Sequence, residues 1–399
     1  MSLHNRSFYL TAAFLWLGHF SVDVMIGFWA VYKTIAHLDL AMAGLISALC
    51  AFLGEGMQIL FGPLSDRGHR KLLIMGGLLA TIASTFLAYT THYGLLCLLF
   101  LLTCLGSGAF HPAAGGLMGS LSPHRKGLLI ALFATGGTMG MAMSQIIFTY
   151  SFFGWGGHTA LLAFPILALV LMIFLFRLPE PPPSDASVKH SFSMRQLLAF
   201  FKIPALRNLY ISQVCNQTLL WGSIFFLPDI LTMRGYDSWI SLGFGNFMFV
   251  LGASIMMIPA GYFADRYSCR KVILASLGLG TLLFYFFLFS PFLSSPLLLG
   301  VLFLLGASIG VVNPIAVTLG QKLTPANPSM VSAFLMGMVW CVSEGLGQGG
   351  GGLLTKLFTD DAPARALAIM GVAFLIGMYA ALKLPAEEQT FAQASETTN

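Results

Sequence analysis

The sequence predicts an all-α protein that crosses a membrane twelve times, and three observations carry that prediction. Of its 399 residues, 57% are hydrophobic and only 9% charged, against roughly 25% charged in a soluble domain. Its mean hydropathy is +0.83. Apolar runs of about 20 residues, the length that a ~30 Å hydrocarbon core demands of a helix, recur along the whole chain. A surface so poor in charge is solvated by lipid rather than water.

Taken in order, the apolar runs give twelve spans, at 8–30, 41–63, 72–90, 93–116, 127–150, 158–178, 207–230, 238–262, 271–290, 295–320, 329–355 and 364–384. The first has no small-residue cleavage site behind a short apolar core, so it reads as a span and not as a removable signal peptide. Between the sixth and seventh lies the long polar stretch "RLPEPPPSDASVKHSFSMRQLLAFFKIPALR". Its Pro and Ser content suits a linker, with a short amphipathic helix near Met194–Phe201. The expected organisation is a six-helix bundle over 1–178, a cytoplasmic linker over 179–206, a second six-helix bundle over 207–386 and a disordered cytoplasmic tail over 387–399. The six cysteines, Cys50, Cys97, Cys104, Cys215, Cys269 and Cys341, contain no CxxC pair. They read as small core hydrophobes, with no disulfide or metal framework and no cofactor expected.

The basic residues orient the spans. With the N-terminus inside, 16 of the 20 Lys and Arg fall on inner segments, leaving Lys33, Arg234, Lys356 and Arg365 in outer loops. Both termini are therefore expected in the cytoplasm, with the chain in the inner membrane. The net charge of +5 reports membrane orientation, so no nucleic-acid partner is implied.

The two halves repeat. "GPLSDRGHRK" (Gly62–Lys71) after the second span is echoed by "GYFADRYSCRK" (Gly261–Lys271) after the eighth, and "SGAFHP" in the fourth span by "IGVVNP" in the tenth. The offsets are 265 − 66 = 199 and 314 − 112 = 202, one duplication seen twice. Parallel six-helix repeats meeting at a midplane site are the architecture of a secondary transporter. No Walker A pattern is present, so ATP is not the expected energy source, and no enzymatic activity is expected.

The pattern G-x-x-x-D-R-x-x-R-K resembles the signature loop of the major facilitator superfamily, and the resemblance covers the whole length of the chain. It implies the major facilitator fold, two six-helix pseudo-repeats around a central cavity, and a gating role for Gly62, Asp66, Arg67 and Arg70 and for Gly261, Asp265, Arg266 and Arg270. Their chemistry fits: glycine permits close helix packing, Asp66 can accept hydrogen bonds at a helix N-terminus, and the arginines offer paired donors to carboxylates or lipid phosphates. Within the superfamily the chain is most similar to the fosmidomycin-resistance branch of efflux proteins. "GHFSVD" in the first span, Gln58 ahead of Asp66, Gly108-x-x-His111-Pro112, "GGTMG" and "MVS" carry that likeness. The chain departs from the branch after His-Pro, where Ala113 to Gly116 replace an acidic residue and an arginine. Ser144-Gln145 stand where Gly-Pro is frequent, and Glu55 and Glu344 where small residues are expected. These departures weaken the implied direction of export.

The embedded ionisable groups are candidates for proton coupling: Asp23, Glu55, His19, His111 and Glu344. Ionisable residues in spans are costly and normally face the bundle interior. His19 and Asp23 stand one helical turn apart on one face, either as a proton-exchanging pair or as a static hydrogen-bonded one. Glu55 precedes Gly62 by seven residues, about 10 Å along the axis at ~1.5 Å per residue. Pro112 removes a helical hydrogen bond and frees a carbonyl; His111 either binds that carbonyl or presents a titratable group. Asn313-Pro314 keeps the kink without the titration. Polar and aromatic residues suited to an uncharged or zwitterionic organic ligand are Gln58, Gln145, Gln213, Asn216, Gln217, Trp221, Asn246, Asn313 and Trp340, although interhelical hydrogen bonding is the commoner use of such amides.

The leading reading is a proton-coupled secondary transporter of a small organic molecule, with efflux slightly favoured. Its partners are substrate, protons and membrane lipids, and the chain acts as a monomer. The alternative is uptake of a nutrient, an organic acid or a metal complex; two histidines and three acids could ligate a divalent cation, although no spacing motif supports it. A non-transporting receptor or lipid scramblase is the least supported.

Overall fold

The computed structural model describes residues 3–176, 178, 194–324 and 328–385, and every regular element among them is helical. The predicted segment 179–193 of the linker and the tail 387–399 lie outside the described residues, as do Arg177, Lys189 and the side chains of Arg6 and Lys126. The amphipathic helix expected near the linker's end forms over Met194–Ala199.

Among the described residues, eleven helical segments are long and apolar enough to cross a membrane. One of them, Leu40–Tyr89, runs for 50 residues, far beyond the ~20 that a bilayer needs. It is two crossings. The reversal falls at Ser65–His69, where Gly68 takes φ 95°, a left-handed conformation that glycine adopts without penalty. Counting that segment twice gives the twelve spans of the predicted fold. Asp39 starts the second span by accepting from the backbone N–H groups of Ala41 and Met42 at 3.1 and 3.0 Å, the usual chemistry of an N-cap. Leu72, Phe174, Ile258 and Phe289 stay exposed, which suits side chains that meet lipid tails rather than water.

The described residues divide into two compact units. One holds those up to 178 together with Asp237–Phe247; the other holds 194–236 and those from Met248 on. The start of the eighth span thus packs with the first unit, and Thr149 Oγ1 donates to the Leu242 carbonyl at 2.6 Å. The spans that carry His111-Pro112 and Asn313-Pro314 differ. The fourth is helical throughout Tyr93–Ser120 across Pro112, whereas the tenth breaks between Ile309 and Val312. The kink expected at both prolines is therefore an actual interruption only in the second half.

Two outer basic residues depart from the expected loops. Lys33 lies inside the first helix, Leu3–Ile35, and is 0% exposed. Arg234 caps the end of the seventh span and is likewise mostly buried.

Candidate functional site

The first, fourth and fifth spans bring together three of the predicted residues. The fifth span lies against the first along one small-residue face: β-carbons at Gly136, Gly137 and Gly140 would strike Trp16, the His19–Asp23 pair and Phe20 respectively. Gly137 is the critical one, since a β-carbon there would run into His19 Nε2 and come within 2.6 Å of Asp23 Oδ2. The "GGTMG" run is thus what lets an ionisable face of the first span sit inside the bundle.

His19 Nε2 stands 3.6 Å from Asp23 Oδ2, His111 Nε2 stands 3.4 Å from Asp23 Oδ1, and the two Nε2 atoms are 3.0 Å apart. The other nitrogen of each ring is anchored. His19 Nδ1 lies 2.7 Å from the Phe133 carbonyl, and His111 Nδ1 lies 2.9 Å from the Ser107 carbonyl and 3.1 Å from its hydroxyl. A carbonyl only accepts, so each Nδ1 carries hydrogen and each neutral ring turns its Nε2 lone pair toward the other. Phe133 also stacks on His19, with centroids 4.1 Å apart. His111 therefore does not bind the carbonyl that Pro112 frees, which is that of Gly108; it binds Ser107, one turn before itself.

Glu55 and Gln58 adjoin this cluster. Spans two and four cross closely where Gly54 meets Cys104 and Gly108 meets the Gly54 carbonyl. Beyond that crossing, Gln58 Nε2 donates to Glu55 Oε2, and the Ser107 hydroxyl lies within hydrogen-bonding range of the Glu55 carboxyl. Ser107 thereby joins Glu55 to His111.

The other candidates are placed differently. Gln145 is buried in the first unit with Oε1 unpartnered among the described residues. Asn246, also in that unit, is buried, and it has a partner. In the second unit, Gln213 Nε2 donates to Asn313 Oδ1 at 2.5 Å, and Asn216 Nδ2 donates to the Ile309 carbonyl at 2.8 Å. Both bonds tie the seventh span to the break in the tenth, the interhelical role weighed above. Gln213 Oε1, Asn216 Oδ1, Gln217 Nε2 and Trp221 Nε1 nevertheless stay unpartnered among the described residues. Glu344 and Trp340 sit half-buried in the eleventh span of the same unit.

The two loops use different contacts. In the first, Arg70 donates to Asp66 Oδ1 at 3.1 Å and to Ser65 Oγ at 3.3 Å, with Arg67 exposed beside them and Gly62 lying against Pro112. In the second, Lys322 donates to Asp265 at 3.3 Å, Arg266 to the Tyr262 hydroxyl at 3.0 Å and Arg270 to the Leu382 carbonyl at 2.7 Å, while Gly261 borders open space. In the sequence Lys322 stands out only as an orienting charge. Ser107, Phe133, Gly137 and the buried Lys33 and Asp229 are likewise unmarked there as site residues. Only Ser107 carries a usable signal, its i, i+4 spacing to His111.

Residues 8–348 match the sequence profile of the Major Facilitator Superfamily. The chain belongs to that superfamily. Members of that family are transport proteins and not enzymes, and the chain is an integral multi-pass membrane protein. Among its relatives is the 4-hydroxybenzoate transporter PcaK of Pseudomonas aeruginosa, 30% identical over 268 residues. PcaK of Pseudomonas putida is 27% identical over 274 residues. In both cases the match covers 58% of this chain and 58% of the relative. The MFS-type transporter YfnC of Bacillus subtilis is 24% identical over 88% of this chain and 86% of its own. Of solved structures, a bacterial homologue of the human lysosomal transporter Spinster superposes with TM-score 0.77 at 14% identity, over 98% of this chain and 99% of its own. The nucleoside transporter NupG gives 0.73 at 16% identity, over 93% and 99%. At such identities these two establish the shared fold alone.

Proposed function

We propose that this superfamily member is a secondary active transporter that uses a proton gradient to move a small organic molecule by alternating access. The single observation that carries the coupling is Glu55, a carboxyl in the interior of the second span, held by Gln58 and linked through Ser107 to the fourth. An embedded carboxyl is costly and functional by default, and this one is half-buried rather than sealed. Glu344 is the corresponding candidate in the second unit. Substrate contact falls to Gln145, Gln213, Asn216, Gln217 and Trp221, because buried polar atoms without a protein partner call for water or ligand. The bias of Lys and Arg supports cytoplasmic termini in the inner membrane.

Glu55→Gln tests the coupling. In proteoliposomes it should abolish accumulation driven by an imposed pH gradient while substrate counterflow persists. Unchanged pH-driven accumulation would dismiss the assignment.

Direction and cargo have two supports that differ. The likeness of the His19–Asp23 and His111–Pro112 patterns to the fosmidomycin-resistance branch supports export. The PcaK relatives, named for 4-hydroxybenzoate, favour a small aromatic acid as cargo and leave uptake as the second reading. Uptake of labelled 4-hydroxybenzoate by right-side-out and inverted vesicles separates them.

A further inference from the structure

We infer that His19, Asp23 and His111 form a binding site for one divalent first-row transition-metal ion, of the zinc or cobalt(II) kind. The inference stands apart from the coupling role proposed for Glu55 and does not rest on it.

Three features of the cluster carry it. The first is the donor set. Two imidazoles and one carboxylate, with no thiolate among them, suit zinc, cobalt or nickel, whereas magnesium and calcium prefer oxygen alone. The second is spacing. The two Nε2 atoms are 3.0 Å apart. Asp23 turns Oδ1 to His111 at 3.4 Å and Oδ2 to His19 at 3.6 Å, and one donor atom from each residue lies within 4.8 Å of the others. Around a tetrahedral ion with bonds of ~2.0–2.2 Å, neighbouring donors lie about 3.3–3.6 Å apart. The two rings thus converge on one carboxylate at close to the spacing such an ion imposes, and a turn of the Asp23 carboxylate that brings one oxygen toward both Nε2 atoms completes the face of the tetrahedron. The fourth position is left to water or a ligand, as in sites with three protein donors.

The third feature is orientation. A metal-bound histidine commonly donates its other N–H to a carbonyl or carboxylate, which fixes the tautomer that leaves the lone pair on the metal side. Both rings do this, His19 to the Phe133 carbonyl and His111 to the Ser107 carbonyl. The two Nε2 lone pairs, converging at 3.0 Å, repel unless a cation lies between them. Gly137 leaves the cluster room on the side of the fifth span, since a β-carbon there would displace both His19 and Asp23.

The test uses the full chain without an affinity tag, in detergent or nanodiscs, stripped of metal and titrated with Co2+. The expected result is one equivalent bound, with the intense visible bands of four-coordinate cobalt, displaced by Zn2+. X-ray absorption of the zinc-loaded wild-type protein should show nitrogen and oxygen donors at ~2.0–2.2 Å, including two imidazoles, and no sulfur. His19→Ala, His111→Ala and Asp23→Asn should each lose the bands, and Gly137→Ala, which keeps all three donors, should weaken binding roughly ten- to a hundredfold. Wild-type protein that binds no cobalt overturns the inference and means that the cluster holds only a proton. Sulfur in the metal's shell, or bands that persist in all the variants, overturn it equally. The wild-type absorption experiment decides the matter even if a variant fails to fold. None of these outcomes depends on transport by Glu55→Gln, so the two proposals fail separately.

Discussion

His19 and His111 face each other through their Nε2 atoms at 3.0 Å, His19 locked in place by the Phe133 carbonyl of the fifth span and His111 by the Ser107 carbonyl of its own helix. The pair behaves as one unit, because neither ring can turn without giving up its anchor. The stabilities of His19→Ala, His111→Ala and the double variant should therefore be non-additive, with a coupling energy of about 0.5–3 kcal/mol. Denaturant unfolding in a mixed micelle measures it. A coupling below about 0.3 kcal/mol would mean that the rings are independent.

Gly137 sets how close the first and fifth spans come. Gly137→Ala should cost roughly 1–3 kcal/mol, as overpacking does, because the His19 and Asp23 side chains leave the new methyl no room. Gly154, at the end of the same helix, has nothing within 4 Å of the place a β-carbon would take, so Gly154→Ala should stay within about 0.5 kcal/mol of wild type. Thermal melts of the two variants side by side provide the comparison. Equal melting temperatures would show that the helices part at little cost.

The fold was legible because its signal is long-range and redundant: twelve apolar runs, a bias of basic residues and two motifs repeated at nearly one offset. The site was legible only in part. His19 and Asp23 share a helical face, so spacing alone paired them. His111 joins them across 92 residues, and the sequence marks it as an oddity without showing its partner. Phe133 carries no such mark, and Gly137 stands in the quoted "GGTMG" run without that run showing which side chains it makes room for. The amides of the seventh span suit two uses at once, which sequence alone does not separate. One donor each of Asn216 and Gln213 is consumed at the break in the tenth span, while an oxygen of each stays unpartnered among the described residues.

Asp66 pairs with Arg70, and Asp265 with Lys322, on exposed loops: the aspartates keep 53% and 74% of their side-chain surface. Exposed ion pairs contribute only about 0–1 kcal/mol. Asp66→Asn and Asp265→Asn should thus shift unfolding by less than about 1 kcal/mol, while slowing transport if the loops gate. Stability measured together with initial transport rate separates the two roles. Full transport by both variants would remove the gating assignment.

Arg234 should be the most sensitive basic residue of the outer side. Its Nη1 and Nη2 donate to the carbonyls of Phe287 and Leu288 at 2.9 and 2.7 Å, Asp361 lies 3.7 Å away, and the guanidinium covers the Phe287 ring at 5.1 Å. The side chain is only 5% exposed. It ties the end of the seventh span to the end of the ninth and to the turn before the twelfth, where Asp361 itself takes φ 44°. Removing it leaves two helix-end carbonyls and a carboxylate short of a donor, so Arg234→Ala should lower stability by roughly 2–4 kcal/mol. Arg234→Lys keeps the charge but not the planar fork. A single ammonium cannot reach both carbonyls in that geometry, so lysine should recover less than half of the loss. Scanning calorimetry or fluorimetry of the three proteins checks the order. Lysine equal to arginine would mean that charge alone, and not the fork, holds the three helix ends together.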